Sequence, residues 1–266
     1  MKVITLLNEK GGVGKTTLAT HIAAELAIQG KRVVLIDGDQ QANATMSFRI
    51  DPSPALYEWM LREHITAKDV VKLVHPTVYA PGSAPERVKG SLFVVASNAE
   101  ARNIPTSIGD PRVFYAKVQQ LKTVVDYVIV DTSPTANLFH TAIYIATDAI
   151  VYPTQLEQWS LAGLWNAYQR LESANQFRAG GNMAPIAVLG IVPMMTNLRT
   201  INHQMNHNKV METFGELVTP SIAKRAAWSD APSAGITLQA YEPDGKAMED
   251  FQTVMNVLME RVPDEQ

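Results

Sequence analysis

Eight consecutive residues near the amino terminus, Lys10-Gly11-Gly12-Val13-Gly14-Lys15-Thr16-Thr17, have the types and spacing of a phosphate-binding loop. The glycines let successive backbone N–H groups turn toward phosphate oxygens with no side chain in the way. Lys15 is placed to reach the β- and γ-phosphates of a nucleotide, and the Thr16 hydroxyl to bind Mg²⁺. The apolar run Val3-Ile4-Thr5-Leu6-Leu7 before the loop reads as a buried strand. Leu18, Ile22 and Leu26 after it, four apart, read as one face of a helix. The start of that helix turns the positive end of its dipole toward an anion. A glycine turn with incidental lysines would not explain why strand, glycines, lysines and hydroxyls fall in this order.

Carboxylates complete the chemistry. The run Tyr127-Val128-Ile129-Val130-Asp131 is an apolar strand ending in aspartate. After a phosphate loop, such a carboxylate holds Mg²⁺ directly or through water. Another strand ends in Asp37-Gly38-Asp39. Ligands of open parallel sheets sit beyond the carboxyl ends of the strands, which places Asp37 and Asp39 near the loop. The alternative is that both are solvated turn residues.

Short apolar runs at 3–8, 32–37, 92–96, 126–131, 148–153 and 186–192 alternate with helical patterns. The fold class this predicts is α/β, a mostly parallel twisted sheet with helices on both faces. Residues 1–266 read as a single nucleotide-binding domain with a helical insertion at about 51–75 and a loop at about 76–90. In the insertion, Pro54 opens a helix carrying Leu56, Trp59 and Met60, and Val70, Val71 and Val74 form a second helical pattern. Tyr57 and Trp59 read as packing residues. The loop, with prolines at 76, 81 and 85, has the composition of a mobile segment. A last helix at about 244–261 aligns Met248, Phe251, Val254, Met255 and Leu258. Its polar face is mostly acidic, so docking on the domain is expected and membrane binding is not.

The totals set limits. The net charge of −3 gives no global attraction for nucleic acid, so DNA binding must come from a local patch or a dimer. The absence of cysteine excludes disulfides, thiolate zinc and cysteine-ligated iron–sulfur clusters. No apolar run approaches the roughly 20 residues of a spanning helix, and no signal peptide precedes the first strand, so a cytoplasmic protein is expected. His203 and His207 have metal-ligand spacing, but Gln204 stands where a zinc hydrolase needs glutamate, and they read as surface residues.

The phosphate loop has Glu9 where the ordinary pattern has glycine, and an additional lysine, Lys10. This resembles the deviant Walker A motif of the ParA/MinD ATPases, and the likeness extends over nearly the whole chain. It is identified as a ParA-type partition ATPase without an N-terminal helix-turn-helix. The resemblance implies ATP and ADP as ligands with Mg²⁺, and an ATP-sandwich homodimer in which Lys10 contacts the partner's phosphates. Asp37-Gly38-Asp39-Gln40 is similar to the family's first switch, so Asp39 is implied to orient the attacking water. Gln40 replaces a usual proline. Asp131-Thr132-Ser133-Pro134 is similar to the second switch, with Ser133 in place of a proline.

The segment Pro193–Arg199 lies near the adenine in resembling proteins. Asn197 either contacts a base edge or caps the next helix, and Arg199 is implied in DNA binding. Ile222–Ser233 resembles the family's I-P-x-N-V-R-x-x-E-A-P-S segment, but Ala223, Arg225 and Ala227 replace its proline, asparagine and arginine. That leaves Arg225 as an adenine contact and Lys224 and Arg225 as the DNA-contacting cations. The implied partners are non-specific DNA and a ParB-like or other adaptor that stimulates hydrolysis, with nucleoid association in the ATP state. A MinD-like membrane ATPase, a reductase resembling the nitrogenase iron protein and a non-hydrolysing regulator are the alternatives. The missing cysteines count against the reductase.

Overall fold

The computed structural model describes residues 1–263, without the side chains of 158–160. Seven strands form one sheet: β1 (Lys2–Leu6), β2 (Arg32–Gly38), β3 (Val71–Leu73), β4 (Ser91–Val95), β5 (Tyr127–Thr132), β6 (Ala149–Gln155) and β7 (Ala187–Met194). Their order is β3-β4-β2-β5-β1-β6-β7, and every pairing is parallel except that of β3 with β4. The inner strands are Val- and Ile-rich because both faces of a parallel sheet are covered.

Helices follow in chain order. They are α1 (Lys15–Ile28), α2 (Asn43–Ser47), α3 (Leu56–Leu61), α4 (Ala67–Val70), α5 (Ile104–Ser107) and α6 (Arg112–Gln119). Then come α7 (Leu138–Ala146), α8 (Gln158–Gly180), α9 (Ile201–Phe214), α10 (Ala227–Ser233), α11 (Leu238–Tyr241) and α12 (Lys246–Glu260). One core packs α1 and α12 against one face of the sheet, and a second packs α3, α5, α6 and α7 against the other.

The six strands read from the apolar runs are all present. The seventh, β3, replaces part of the helical pattern expected at 70–74. Helix α4 stops at Val70, and the next residues pair antiparallel with β4 through Val71↔Val95 and Leu73↔Phe93. The insertion's α3 buries Leu56, Trp59 and Met60, as the pattern requires. Residues 76–90 form three short 3₁₀ turns. Val78, Tyr79 and Ala80 are buried there, and the Val78 carbonyl accepts from Thr237 N at 2.9 Å. The apolar stripe of α12 lies in the first core, with Phe251 and Val254 fully covered. No helix among the described residues is long and apolar enough to cross a membrane.

Two buried cationic-type side chains join segments distant in sequence. Arg178 donates from Nη1 to the Tyr144 and Ile145 carbonyls and from Nε to the Ala184 carbonyl, satisfying the exposed end of α7. His21 donates from Nδ1 to the Thr17 carbonyl at 2.6 Å and accepts at Nε2 from Leu238 N at 3.0 Å, which fixes α11 to α1. A ring that donates at one nitrogen and accepts at the other is neutral, and burial pushes its pKa from 6.5 down to about 4.

A depressed histidine pKa means that the unfolded chain takes up the proton first. The stability held above pH 6.5 is therefore lost as pH falls toward 4, by up to about 3 kcal/mol. Urea unfolding at pH 7.5 and 5.0 should show this slope in the wild type and a shallower one in His21→Gln. Equal slopes would place the acid sensitivity elsewhere.

Candidate functional site

The phosphate loop runs from the end of β1 to the start of α1, at the carboxyl edge of the sheet. Gly14 takes φ +96° at the helix N-cap, and a Cβ there would meet Met194 Cε at 2.9 Å. The positive φ makes this position a glycine's, and a Cβ would also push the Met194 side chain aside. Lys15 Nζ donates to the Lys10 carbonyl at 2.9 Å, closing the loop on itself. Gln155 at the end of β6 donates to the Gly12 carbonyl at 3.0 Å.

The first half of the loop is held by neighbours that the motif does not show. Asn8 Oδ1 accepts from Lys10 N at 2.9 Å, and Asn8 Nδ2 donates to the Pro153 carbonyl at 2.8 Å. Helix α8 packs directly against this turn at Gly163, where a Cβ would lie 3.1 Å from Lys10 N. Glu9 pairs with Arg170 of the same helix. The Lys10 side chain itself is exposed.

Strand register brings the acids to the loop. The pairing Leu6↔Asp131 and Asp37↔Asp131 sets three strand ends side by side. Thr16 Oγ1 donates to Asp131 Oδ2 at 2.6 Å. Asp131 Oδ1 is buried with no hydrogen-bond partner. Burial and then the charge of Asp37 raise the pKa of Asp131. Asp37 is also raised by burial, although Thr45 donates to it from both N–H and hydroxyl. The Lys15 pKa is lowered by burial, against the opposing pull of Asp131 and Asp39. A hydroxyl, an orphaned carboxylate oxygen and crowded buried acids are the donor set of a hard divalent cation. The residues present therefore fit Mg²⁺.

Asp37 and Asp39 separate into two roles. Asp37 is fully buried and anchors α2: Thr45 binds it, and the Thr45 hydroxyl accepts from Ser97 N at 2.9 Å. Asp39 lines a cavity of about 470 Å³ together with Gly11, Gly12, Gly14, Lys15, Thr16 and Thr17. Val13 is buried beneath the loop. The cavity continues along α1 past Thr20 and His21 to Pro232, Ile236 and Thr237, with Met195 also in its wall.

Two expected adenine contacts fall outside the cavity lining. Asn197 is exposed and outside the cavity lining; its Oδ1 accepts from Arg199 N, forming a turn ahead of α9. It is not the N-cap, which is Thr200. Arg225 is also outside the lining and forms a two-bond pair with Asp250 of α12, at 2.9 and 3.2 Å. This pairing draws the guanidinium toward the last helix and neutralises it. Arg199 and Lys224 are exposed on neighbouring loops, which Lys224 N joins by donating to the Thr196 carbonyl. His203 accepts from Asn197 N, and no cluster of three metal-ligating side chains occurs among the described residues.

A protein-family model described as an AAA domain matches residues 1–179. The chromosome-partitioning ATPase Soj of Thermus thermophilus is 29% identical over 97% of this chain and 96% of its own. The sporulation initiation inhibitor protein Soj of Bacillus subtilis is 30% identical over 93% of this chain and 94% of its own. Among solved structures, an ATP complex of Cyanothece McdA superposes with a TM-score of 0.79 at 21% identity, covering 100% of this chain and 98% of that one. A putative plasmid partition protein of Borrelia burgdorferi bound to AMPPNP gives 0.77 at 18% identity, covering 98% and 99%. These last two speak for the fold. With the phosphate loop and the two aspartate-ended strands at one edge of that fold, the chain belongs to the ParA-type partition ATPases.

Proposed function

We propose that the protein is a Mg²⁺-dependent ATPase that dimerises around two ATP molecules, binds DNA without reading its sequence, and drives partition of a plasmid, chromosome or other cargo. Lys15, Thr16 and Asp39 line one cavity, and Asp131, buried behind it, accepts from Thr16; this arrangement carries the ATPase reading. Backbone N–H groups of Gly11 to Thr17 hold the phosphates, and Lys15 leaves the Lys10 carbonyl to contact the β- and γ-phosphates. Thr16 and Asp131 would hold the cation, Asp131 directly or through water, and the cation would supply neutralisation of the phosphate charge. Asp39 orients the water that attacks the γ-phosphate. Lys10, exposed at the rim, reaches the partner's phosphates when two copies close face to face.

Closure also joins the basic loops of both copies into one DNA-binding surface. Arg199 and Lys224 carry it; Arg225, paired with Asp250, is withdrawn from the role. A ParB-like or other adaptor accelerates hydrolysis, after which the dimer opens and DNA is released. The proposed location is cytoplasmic, and nucleoid-associated in the ATP state. The membrane alternative loses support because the apolar face of α12 is occupied by the core.

The test is binding to random duplex DNA with ATP, with ADP and without nucleotide, at two salt concentrations. The expected result is binding that needs ATP and fades with salt. Lys224→Ala and Arg199→Ala should each weaken it equally for all sequences. Each should also flatten the log–log salt slope by about 0.9 for every phosphate that a chain no longer neutralises. No DNA binding under any condition would leave the ATPase reading and remove DNA as its surface.

A further inference from the structure

Helix α2 has a left-handed residue at each end, and neither is glycine. Ala42, its N-cap, takes φ +55° and ψ +32°. Arg49, just past the C-cap Phe48, takes φ +55°. There the helix closes with Ile50 N donating to the Thr45 carbonyl and Arg49 N to the Met46 carbonyl. In this kind of helix ending the left-handed position is usually glycine. A side chain in that conformation disfavours it by roughly five- to thirtyfold. Such strain persists only where the surroundings hold it, and it gathers at segments that switch.

The arginine is explained by what its side chain reaches. Arg49 Nη2 donates to the Ala234 carbonyl at 2.9 Å. That carbonyl is at the C-cap of α10, where a cation is favoured. Gly235 leaves the guanidinium its room, since a Cβ there would collide with Nη2 and Nε. Both segments joined by this bond belong to the cavity wall: Asn43 and Ser47 from α2, Pro232 and Ile236 from the turn after α10. The inner side of α2 is anchored separately, by Thr45 on Asp37 and by Phe48 in the first core. The Arg49 bond is exposed, so water competes for both partners and it opens readily. Taking nucleotide binding at the loop as proposed above, we infer that α2 is a strained gate latched by Arg49, and that nucleotide enters and leaves as the latch opens. Arg49 lies outside the cavity lining, so it is a positioning residue that acts through α2. Strain favours the open gate and the latch favours the closed one. Changing either alters how often the gate opens and not what the closed site binds.

Hydrogen exchange of the α2 amides and stopped-flow binding of N-methylanthraniloyl-ADP with Mg²⁺, both on the full chain, test this. Arg49→Ala keeps the backbone strain and removes the latch. Exchange at 43–50 should accelerate roughly tenfold with β1 and β5 unchanged, and ADP should associate and dissociate about tenfold faster, with affinity within about twofold of wild type. Ala42→Gly relieves strain and keeps the latch, and the same three rates should fall roughly fivefold. The double variant should return to within about threefold of wild type. Unchanged α2 exchange in Arg49→Ala would overturn the inference. So would equal acceleration in the central strands, which would make Arg49 a residue of the global fold. Faster dissociation without faster association would also overturn it, because Arg49 would then stabilise the bound state. A wild type that binds no ADP would instead refute nucleotide binding at the loop, while amide exchange would still decide the latch.

Discussion

Lys10→Ala is expected to lower ATP turnover by roughly 10³-fold while ADP affinity stays within about twofold of wild type, the pattern of a cation delivered in trans to a phosphoryl-transfer site. The separation follows from what Lys10 does in its own subunit. Its backbone N–H binds Asn8 and its carbonyl accepts from Lys15, and alanine retains both. Its ammonium is exposed and makes no bond to its own loop among those described. The side chain is therefore free for a second copy, and the packing of α8 at Gly163 and Arg170 holds its base in place. Phosphate release, ADP titration and light scattering with ATP give the three readouts. Turnover equal to wild type would remove the role in trans. A loss of ADP affinity as large as the loss of turnover would make Lys10 a residue of its own site.

Much of this site is legible because its chemistry is local in sequence. A phosphate loop lies within eight residues, and a strand ending in aspartate announces itself by a run such as Tyr127–Asp131. Alternating apolar runs and helical patterns reveal the sheet, since buried parallel strands are apolar on both faces. Strand β3 escapes this reading because Val71–Leu73 is a short edge piece, where pairing with β4 rather than periodicity decides conformation.

The remaining differences concern interactions made across the fold. Nothing near Arg225 in sequence signals Asp250, twenty-five positions on, and the pair moves that cation from the nucleotide to α12. Asp37 and Asp39 have the same local appearance, and only Thr45 and Ser97 divide them into an anchor and a cavity residue. Thr237 and His21 carry no motif at all. Gly163 does leave a trace, a glycine inside a long helical pattern, which marks close approach of another backbone.

Asp131→Asn should produce two opposed changes: a fall in Mg²⁺-dependent turnover of at least roughly 10²-fold, and a gain in metal-free stability of about 1–2 kcal/mol. The first follows from removing the carboxylate charge beside Thr16 that fits the cation. The second follows from the crowding of that carboxylate. Asp131 is completely buried next to Asp37, and one of its oxygens has no partner. Asparagine keeps the volume and still offers an oxygen to Thr16, while one of two crowded buried carboxyls, each opposing the other's ionisation, is gone. Urea unfolding in chelator compares the metal-free stabilities, and repeating it with Mg²⁺ and ATP should stabilise the wild type far more than the variant. A variant less stable than wild type in chelator would mean that Asp131 serves the fold. Turnover that survives the substitution would place the cation on other ligands. The opposed result would show that this strand end trades stability for function, because a site that must grip a cation reversibly keeps a crowded, incompletely paired buried carboxyl when the cation leaves.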